Sequence, residues 1–157
     1  MGRVRLAKDS LSGLYSLNVS LVNNDTGKNV NVKMFLDTGS SLTSITETVA
    51  KDLRLEPDKL EREDIGGIGG MSSIPITKNL ELFILGEGSE PKIVKLKKIG
   101  INRDEIRRER RHGRGVDRRI SVSTAGMVNL VGLDFVEQLK GKIVIDTVSS
   151  SGHIEWQ

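Results

Sequence analysis

The chain has 157 residues, a length typical of one domain, and its composition excludes several classes of site. It contains no cysteine, which rules out disulfide frameworks, cysteine-bound zinc, iron–sulfur clusters and thiol nucleophiles. Its formal net charge of +3 gives no argument for a polyanionic partner of the whole chain. Apolar residues make up 36% and aromatic residues 3%, so the core must consist mainly of Ile, Leu and Val, which favour strands where they alternate with polar residues.

The first predicted element is a β-hairpin over residues 14–36. Apolar and polar residues alternate over 14–22 and again over 30–36. The polar turn between them, residues 23–28, is rich in residues that tolerate a positive φ. Because the second strand runs directly into Asp37, this carboxylate is predicted to lie where a strand enters a loop.

A short helix and further strands are predicted after the hairpin. Ser44 and Glu47 have the spacing of a capping box, which predicts a helix that starts there and ends near Pro57. Two apolar runs, at residues 80–85 and 93–99, flank a glycine-rich turn and predict two more strands.

The C-terminal part is predicted to contain a buried run, a helix and a last hairpin. The buried run covers residues 127–131. Asp134 is a candidate helix cap, and Gly141 is placed to close the same helix in its C′ position. Residues 143–156 have the pattern of a hairpin. No repeat or linker divides the chain, so we expect a single, mostly-β domain over residues 1–157.

Residues 102–120 differ in character from the rest of the chain. Eight Arg and four acidic residues lie within 102–119, which predicts a solvated, Arg-rich loop or insertion. A protease-sensitive or self-cleaved segment is a second interpretation, and a contact with an anion or nucleic acid is a third. The interleaved acids disfavour nucleic acid as a partner.

The strongest candidate for chemistry is the sequence Asp37-Thr38-Gly39-Ser40 after an apolar strand. Gly39 allows close approach of the backbone, whose N–H groups can donate to the carboxylate of Asp37. The neighbouring hydroxyls of Thr38 and Ser40 add donors at little steric cost. The alternative is an ordinary Asx turn at the end of a strand, which is what most Asp-x-Gly triplets are.

Two other aspartates in the chain, Asp25 and Asp146, can be compared with Asp37 to judge whether it belongs to an ordinary turn. Asp25, Thr26 and Gly27 form the same triplet, but polar residues flank it on both sides, so it is predicted to be a solvated hairpin turn. The sequence that begins at Asp146 lacks the glycine. The apolar strand before Asp37 therefore distinguishes this aspartate from the other two.

Three segments, in sequence order, resemble the retropepsin-like aspartic proteases, and the resemblance is closer to bacterial and cellular members than to retroviral ones. The first is the loop that begins at Asp37, which is similar to the catalytic loop of that family. The second resembles the flap tip that closes over substrate, and it consists of Ile65, Gly66, Gly67, Ile68, Gly69, Gly70 and Met71. The third, residues 129–135, is similar to the segment that crosses behind the first loop and leads into a helix.

The resemblance implies a retropepsin-like closed β-sheet domain with one or two short helices, homodimeric, that acts as an aspartic endopeptidase on extended peptide or protein substrates. Asp37 would be catalytic. Thr38, Gly39 and Ser40 would support it, with Thr38 bonded across the dimer axis and Ser40 donating to the outer carboxylate oxygen. The resemblance implies no metal and no other cofactor, and an activity optimum between about pH 4 and 6 for the coupled carboxylates.

The homodimer follows from the number of carboxylates. Aspartic proteolysis uses two carboxyl groups that share one proton, because like charges about 3 Å apart cannot both ionise. One chain offers one suitable aspartate, so the resemblance implies a two-fold axis with Asp37 from each protomer, and an inert monomer. Viral members carry Gly-Arg-Asp or Gly-Arg-Asn where this chain has Gly132-Leu133-Asp134, and an acid where it has Ser41, so both ends of their ion-pair network are missing.

Two other classes of function stay open. One is a catalytically silent dimeric peptide-binding module with the same fold, and the other is a nucleic-acid-binding protein that uses the Arg-rich loop. His112 and His153 lack the spacing of metal ligands, and a Gly-x-Ser-x-Gly motif is absent. The N-terminus contains no apolar stretch of signal-peptide length, so we expect a cytoplasmic protein without membrane contact.

Overall fold

The computed structural model describes residues 1–67, 70–88, 90–102, 106–108, 119–121 and 128–157. Its strands are β1 (Gly2–Lys8), β2 (Tyr15–Asn23), β3 (Asn29–Leu36), β4 (Ser44–Thr46), β5 (Arg62–Gly67), β6 (Gly70–Thr77), β7 (Leu80–Ile84), β8 (Lys92–Val94), β9 (Ile99–Asn102), β10 (Ile106–Arg108), β11 (Arg119–Ser121), β12 (Asn129–Val131), β13 (Gly141–Asp146) and β14 (Ser151–Trp156). The helices in this part of the chain are α1 (Glu47–Asp52), a 3₁₀ turn (Pro57–Lys59) and α2 (Leu133–Leu139). The mostly-β prediction with short helices is confirmed.

Twelve of the described strands form one sheet, and its order determines what surrounds Asp37. The order is β13-β14-β1-β2-β3-β12-β4-β9-β6-β5, with β7 paired to β2 and β8 paired to β7. The chain inserts β12 between β3 and β4, parallel to β3, so that Val131 lies beside Leu36. The residues after β12 therefore arrive next to the loop that follows β3.

The core forms where the alternating pattern of the sequence predicts it. Leu17, Val19 and Leu21 on β2 are buried, and the hairpin of β2 and β3 pairs from Ser16↔Phe35 to Val22↔Asn29. The apolar cluster continues into both helices, which pack their buried faces on the sheet. The predicted hairpins over 14–36 and 143–156 are confirmed. No helix in the described part of the chain has the length and apolar character needed to span a bilayer.

The predicted start of α1 lies at another residue, whereas Gly141 follows the C-cap of α2 and takes the C′ position as predicted. The N-cap of α1 is Thr46, whose hydroxyl accepts from Val49 N–H at 3.3 Å, rather than Ser44. Ser44 belongs to β4, where it pairs with Gly100 and Leu130, so strand pairing determines its conformation. At the end of α2 the left-handed residue is Lys140, with a φ of 53°.

Three further segments differ from, or go beyond, the sequence predictions. The apolar run at 93–99 does not form one strand but contributes to both β8 and β9. The N-terminal strand β1, which lies between β14 and β2, was missed, although buried Val4 and Leu6 alternate with exposed Arg3 and Arg5. Within the Arg-rich segment, β10 and β11 pair as a two-stranded ladder, and residues 103–105 and 109–118 lie outside the described residues.

The turns of two hairpins are capped by carboxylates whose ionisation affects stability. Hydrogen bonds from Ser149 and Val148 hold the pKa of Asp146 below its ordinary value of 3.8. N–H groups of Ser12 and Leu11 lower the pKa of Asp9 in the same way. A lowered pKa in the folded state stabilises the protein above the unfolded-state pKa, and this contribution is lost as the pH falls through the folded-state value.

We therefore expect Asp146→Asn to lower the melting temperature at about pH 6 and to have a smaller effect at about pH 2, because the wild-type carboxyl becomes protonated as the pH falls through its folded-state pKa. Thermal unfolding of both proteins across this range measures the difference. Asp52→Asn, at the exposed end of α1, is the control. An effect of Asp146→Asn that is equally large at both pH values would contradict the capping role.

Candidate active site

Asp37 directly follows β3, and its backbone and side chain are both held. Its N–H donates to the carbonyl of Val131 on β12 at 3.0 Å. Its carboxylate Oδ1 accepts from Gly39 N–H at 2.9 Å, and Ser40 N–H donates to its carbonyl at 3.2 Å. The side chain is half-buried, so one carboxylate edge is tied into the turn while solvent or a ligand can reach the residue.

The residues next to Asp37 differ in how they support the loop. Thr38 and Gly39 are exposed. The hydroxyl of Ser40 donates to the carbonyl of Leu42 at 2.8 Å rather than to the Asp37 carboxylate, which corrects the donor role expected for it. Gly39 therefore supplies the hydrogen bond that orients Asp37, and Ser40 stabilises the next turn of the loop.

Gly132, at the end of β12, packs directly against the backbone of this loop. A Cβ atom at Gly132 would lie 2.7 Å from the carbonyl carbon of Leu42 and 2.9 Å from the carbonyl oxygen of Ser40. The next residue, Leu133, donates its N–H to that Ser40 oxygen at 2.8 Å. The backbone at Gly132 has an ordinary φ of −87°, so the close approach, and not the conformation, requires glycine.

Sequence reasoning missed the link between Thr43 and Asp134. Asp134 accepts from Thr43 N–H at 3.0 Å and from its hydroxyl at 2.7 Å, while the Thr43 hydroxyl accepts from Gly132 N–H at 3.0 Å. Thr43 is fully buried, so its N–H and hydroxyl have no access to water. Asp134, which was expected to cap α2, instead joins the start of that helix to the end of the loop.

The sequence feature that pointed to the Thr43–Asp134 link was an aspartate two positions after Gly132. The ion pair of the viral pattern would join the positions of Ser41 and Leu133, whereas this link joins two other positions, Thr43 and Asp134. Because threonine is neutral, the link brings only one charged group, the Asp134 carboxylate, to this junction.

We expect Asp134→Ala to destabilise the protein strongly. The substitution leaves the N–H and hydroxyl of buried Thr43 without their acceptor, at a cost of about 1–3 kcal/mol for each unsatisfied group. Urea unfolding measures the loss in the free energy of unfolding, and Asp52→Ala at the exposed end of α1 serves as the matched control. Equal stability of the two variants would show that the link contributes nothing.

The predicted flap is a β-hairpin made of β5 and β6. The two strands pair antiparallel from Arg62↔Pro75 to Gly67↔Gly70, and the tip residues Ile68 and Gly69 lie outside the described residues. Met71 is 71% exposed, so its side chain is free to contact a ligand.

The sheet connects this hairpin to the loop that carries Asp37. β6 pairs with β9, and β9 pairs with β4, which begins directly after Thr43. Glu63 at the base of the hairpin forms an ion pair with Lys98 at 2.5 Å, which ties the outer strand to the segment before β9. Among the described residues, no group of three or more His, Asp and Glu is arranged to hold a metal ion.

Comparison with known proteins agrees with this arrangement. The sequence model of the family described as Aspartyl protease matches residues 19–89, a span that contains Asp37, its loop and the β5–β6 hairpin. A retropepsin-like aspartic protease from Rickettsia conorii has a similar structure, with a TM-score of 0.63 over 99% of this chain and 91% of that chain, at 19% identity. No curated protein matches the sequence. The chain thus has the retropepsin-like fold and carries the sequence pattern of the aspartyl protease family over residues 19–89.

Proposed function

We propose that residues 1–157 form one retropepsin-like domain that acts as a homodimeric aspartic endopeptidase, with Asp37 of each copy as the catalytic residue. The observation that carries the proposal is the position of Asp37, which directly follows a strand, is half-buried and is oriented by the N–H of Gly39 at 2.9 Å. The two other aspartates that begin similar triplets lie in exposed hairpin turns. The family pattern over residues 19–89 supports the assignment.

In the proposed mechanism, two Asp37 carboxyl groups share one proton across the dimer axis. The ionised carboxylate takes a proton from a bound water, which attacks the carbon of the scissile peptide. The protonated Asp37 of the second copy donates its proton to the carbonyl oxygen, so the tetrahedral intermediate is a neutral diol. As this diol collapses, the second copy's Asp37, now ionised, takes a proton from one hydroxyl and the C–N bond breaks. The first Asp37 donates the proton it took from water to the leaving nitrogen, so the pair again shares one proton.

The chain's other residues would hold this geometry and bind the substrate. Gly39 fixes the carboxylate plane, and Gly132, Thr43 and Asp134 hold the loop against α2. We infer that the β5–β6 hairpin, including Ile65, Gly66, Gly67, Gly70 and Met71, is a flap that covers an extended peptide. Such a peptide can form main-chain hydrogen bonds with a strand edge, while side-chain pockets set its specificity.

Digestion of a peptide library by the purified protein over about pH 3 to 8 tests the proposal. We expect cleavage within peptides, an optimum in the acidic half of that range, and activity that rises with the fraction of dimer. A dimer that binds peptides without cleaving them at any pH would favour a catalytically silent peptide-binding module and reject the endopeptidase.

A further inference from the structure

A cavity of about 430 Å³, here called the basic cavity, lies on the outer face of β1 and β14. The two strands pair there through Arg5↔His153, and the sides of the cavity are formed by Ser150, from the β13–β14 turn, and by Glu87, from the segment between β7 and β8. None of its lining residues belongs to the Asp37 loop or to the β5–β6 hairpin. Sites for small molecules usually have volumes of about 300–1,000 Å³, so the basic cavity is large enough for a ligand.

Basic side chains outnumber acidic ones around this cavity. Arg3, Arg5 and Lys8 line it together with one carboxylate, that of Glu87. With His153 neutral, two positive charges therefore remain unbalanced. A cleft lined by one sign of charge raises the local concentration of ions of the opposite sign, so this cavity is suited to an anion with two negative charges.

Two other carboxylates of the neighbouring strands do not supply the missing negative charge. Asp146 and Glu155 are not among the residues that line the basic cavity. Glu155 pairs with Lys142 at 3.4 Å, and Asp146 accepts from the hydroxyl of Ser149 at 2.7 Å. Both carboxylates thus interact with their own neighbours.

Glu87 holds the two arginines in place without using all of their donors. It forms ion pairs with Arg3 at 2.8 Å and with Arg5 at 3.3 Å, and its N–H donates to the carbonyl of Arg3 at 2.7 Å. Each guanidinium carries five N–H donors, more than one carboxylate can accept from two arginines. The side chains of Arg3 and Arg5 are 55% and 79% exposed, so a ligand can reach the remaining donors. Side chains that are already ordered lose less conformational entropy on binding.

A second cavity, of about 680 Å³ and here called the turn cavity, adjoins the first. Lys8 and Ser150 line both cavities. The remaining lining residues of the turn cavity belong to the β1–β2 turn, which contributes the hydroxyl groups of Ser10 and Ser12. A ligand with its anionic group in the basic cavity can therefore place a hydroxyl-rich part against this turn.

We propose that the two cavities bind a small phosphorylated sugar, with its phosphate monoester in the basic cavity. The phosphate contacts the guanidinium groups of Arg3 and Arg5 and accepts from the Ser150 hydroxyl, while the sugar lies toward Ser10 and Ser12. A phosphate monoester carries close to two negative charges at neutral pH, which matches the unbalanced charge of the cavity better than a single carboxylate does. The planar fork of arginine also fits the geometry of phosphate oxygens.

Titration of the isotope-labelled protein with ribose 5-phosphate, followed by NMR at constant ionic strength, tests this site. We expect saturable shifts of the backbone N–H signals of Arg5, Ser150 and His153, and a Kd below about 1 mM, which is ordinary for a ligand of this size. Ribose alone should cause no saturable shift. A Kd above this value, or shifts confined to other parts of the chain, would overturn the proposal.

Two further probes separate the contributions of the phosphate and the sugar. Acetate at the same ionic strength should bind at least about tenfold more weakly than inorganic phosphate, and equal affinities would reject the assignment of a phosphate. Inorganic phosphate should in turn bind more weakly than ribose 5-phosphate, because it leaves the turn cavity empty. Equal affinities of these two probes would reject a role for the turn cavity.

Substitution of Arg5 tests which residues bind the ligand. Arg5→Gln should weaken binding of ribose 5-phosphate at least about tenfold, because it removes both a charge and a guanidinium fork. Arg5→Lys keeps the charge without the fork and should have an intermediate affinity. Arg54→Gln, at an exposed position after α1, removes the same charge outside the cavity and should bind like the wild type. Equal weakening by Arg5→Gln and Arg54→Gln would show an effect of net charge alone and reject the cavity.

The site is independent of the proposed peptidase activity, because Asp37 lines neither cavity. Asp37→Asn should therefore bind ribose 5-phosphate with unchanged affinity, whether or not the wild type cleaves peptides. Loss of binding in Asp37→Asn would place the ligand at the candidate active site and overturn the proposal.

Discussion

Asp37→Asn is expected to lower kcat/KM for peptide cleavage by at least about 10²–10⁴-fold, the contribution typical of a general acid–base group. The amide cannot take a proton from water, and the substitution removes both carboxyl groups of the dimer at once. Stability should change little, because the Asn oxygen can still accept from Gly39 N–H, which lies 2.9 Å from the carboxylate in the wild type. Cleavage kinetics, together with sedimentation of the variant, measure both effects.

The chain offers a matched control in Asp25→Asn. Asp25 begins the same Asp-Thr-Gly triplet, but it lies in the exposed β2–β3 turn, where its carboxylate accepts from the Asn79 side chain at 2.8 Å. We expect this variant to keep full activity. Retained activity of Asp37→Asn, or equal losses in the two variants, would contradict a catalytic role for Asp37.

Gly132→Ala is expected to damage both stability and activity. The added methyl group would lie 2.7 Å from the carbonyl carbon of Leu42, and backbone atoms cannot rotate away as side-chain ends can. Overpacking of this kind costs about 1–3 kcal/mol. Because the displaced segment carries Asp37, a shift of about 1 Å could reduce kcat by about 10²-fold. Urea unfolding and cleavage kinetics measure the two losses.

Gly100→Ala is the control for this prediction. A Cβ atom at Gly100 would also be crowded, at 2.7 Å from Ile74 Cδ1 and 3.0 Å from Leu42 Cδ2, but both contacts are ends of flexible side chains. We therefore expect a smaller loss of stability than in Gly132→Ala and little loss of kcat. Similar effects of the two substitutions would argue against a specific contact between Gly132 and the loop.

Local patterns predicted much of the fold. The β2–β3 hairpin and the β13–β14 hairpin follow from alternation over neighbouring residues, and the buried face of β2 is the one that the sequence indicates. The glycine-rich segment after Arg62 forms a hairpin, although its role as a flap stays a prediction. Asp37 follows its strand as expected.

Local patterns failed where a distant partner competes for the same groups. Ser44 has the spacing of a helix cap, but pairing of β4 with β9 and β12 makes it a strand residue, and Thr46 caps the helix instead. The hydroxyl of Ser40 donates to the carbonyl of Leu42 instead of to Asp37. In both cases the spacing was compatible with the expected contact, and the surrounding backbone determined which contact formed.

The amino-acid sequence alone determined the placement of a carboxylate at the end of an apolar strand, because alternation and turn chemistry act between near neighbours. The tertiary structure determined which residues hold the loop that carries this carboxylate. Asp134 reaches Thr43 across 91 positions of sequence, and Gly132 fits against Leu42 only because β12 inserts beside β3. Such contacts depend on strand order, which short-range periodicity does not specify, and they form because buried hydrogen-bonding groups must find partners.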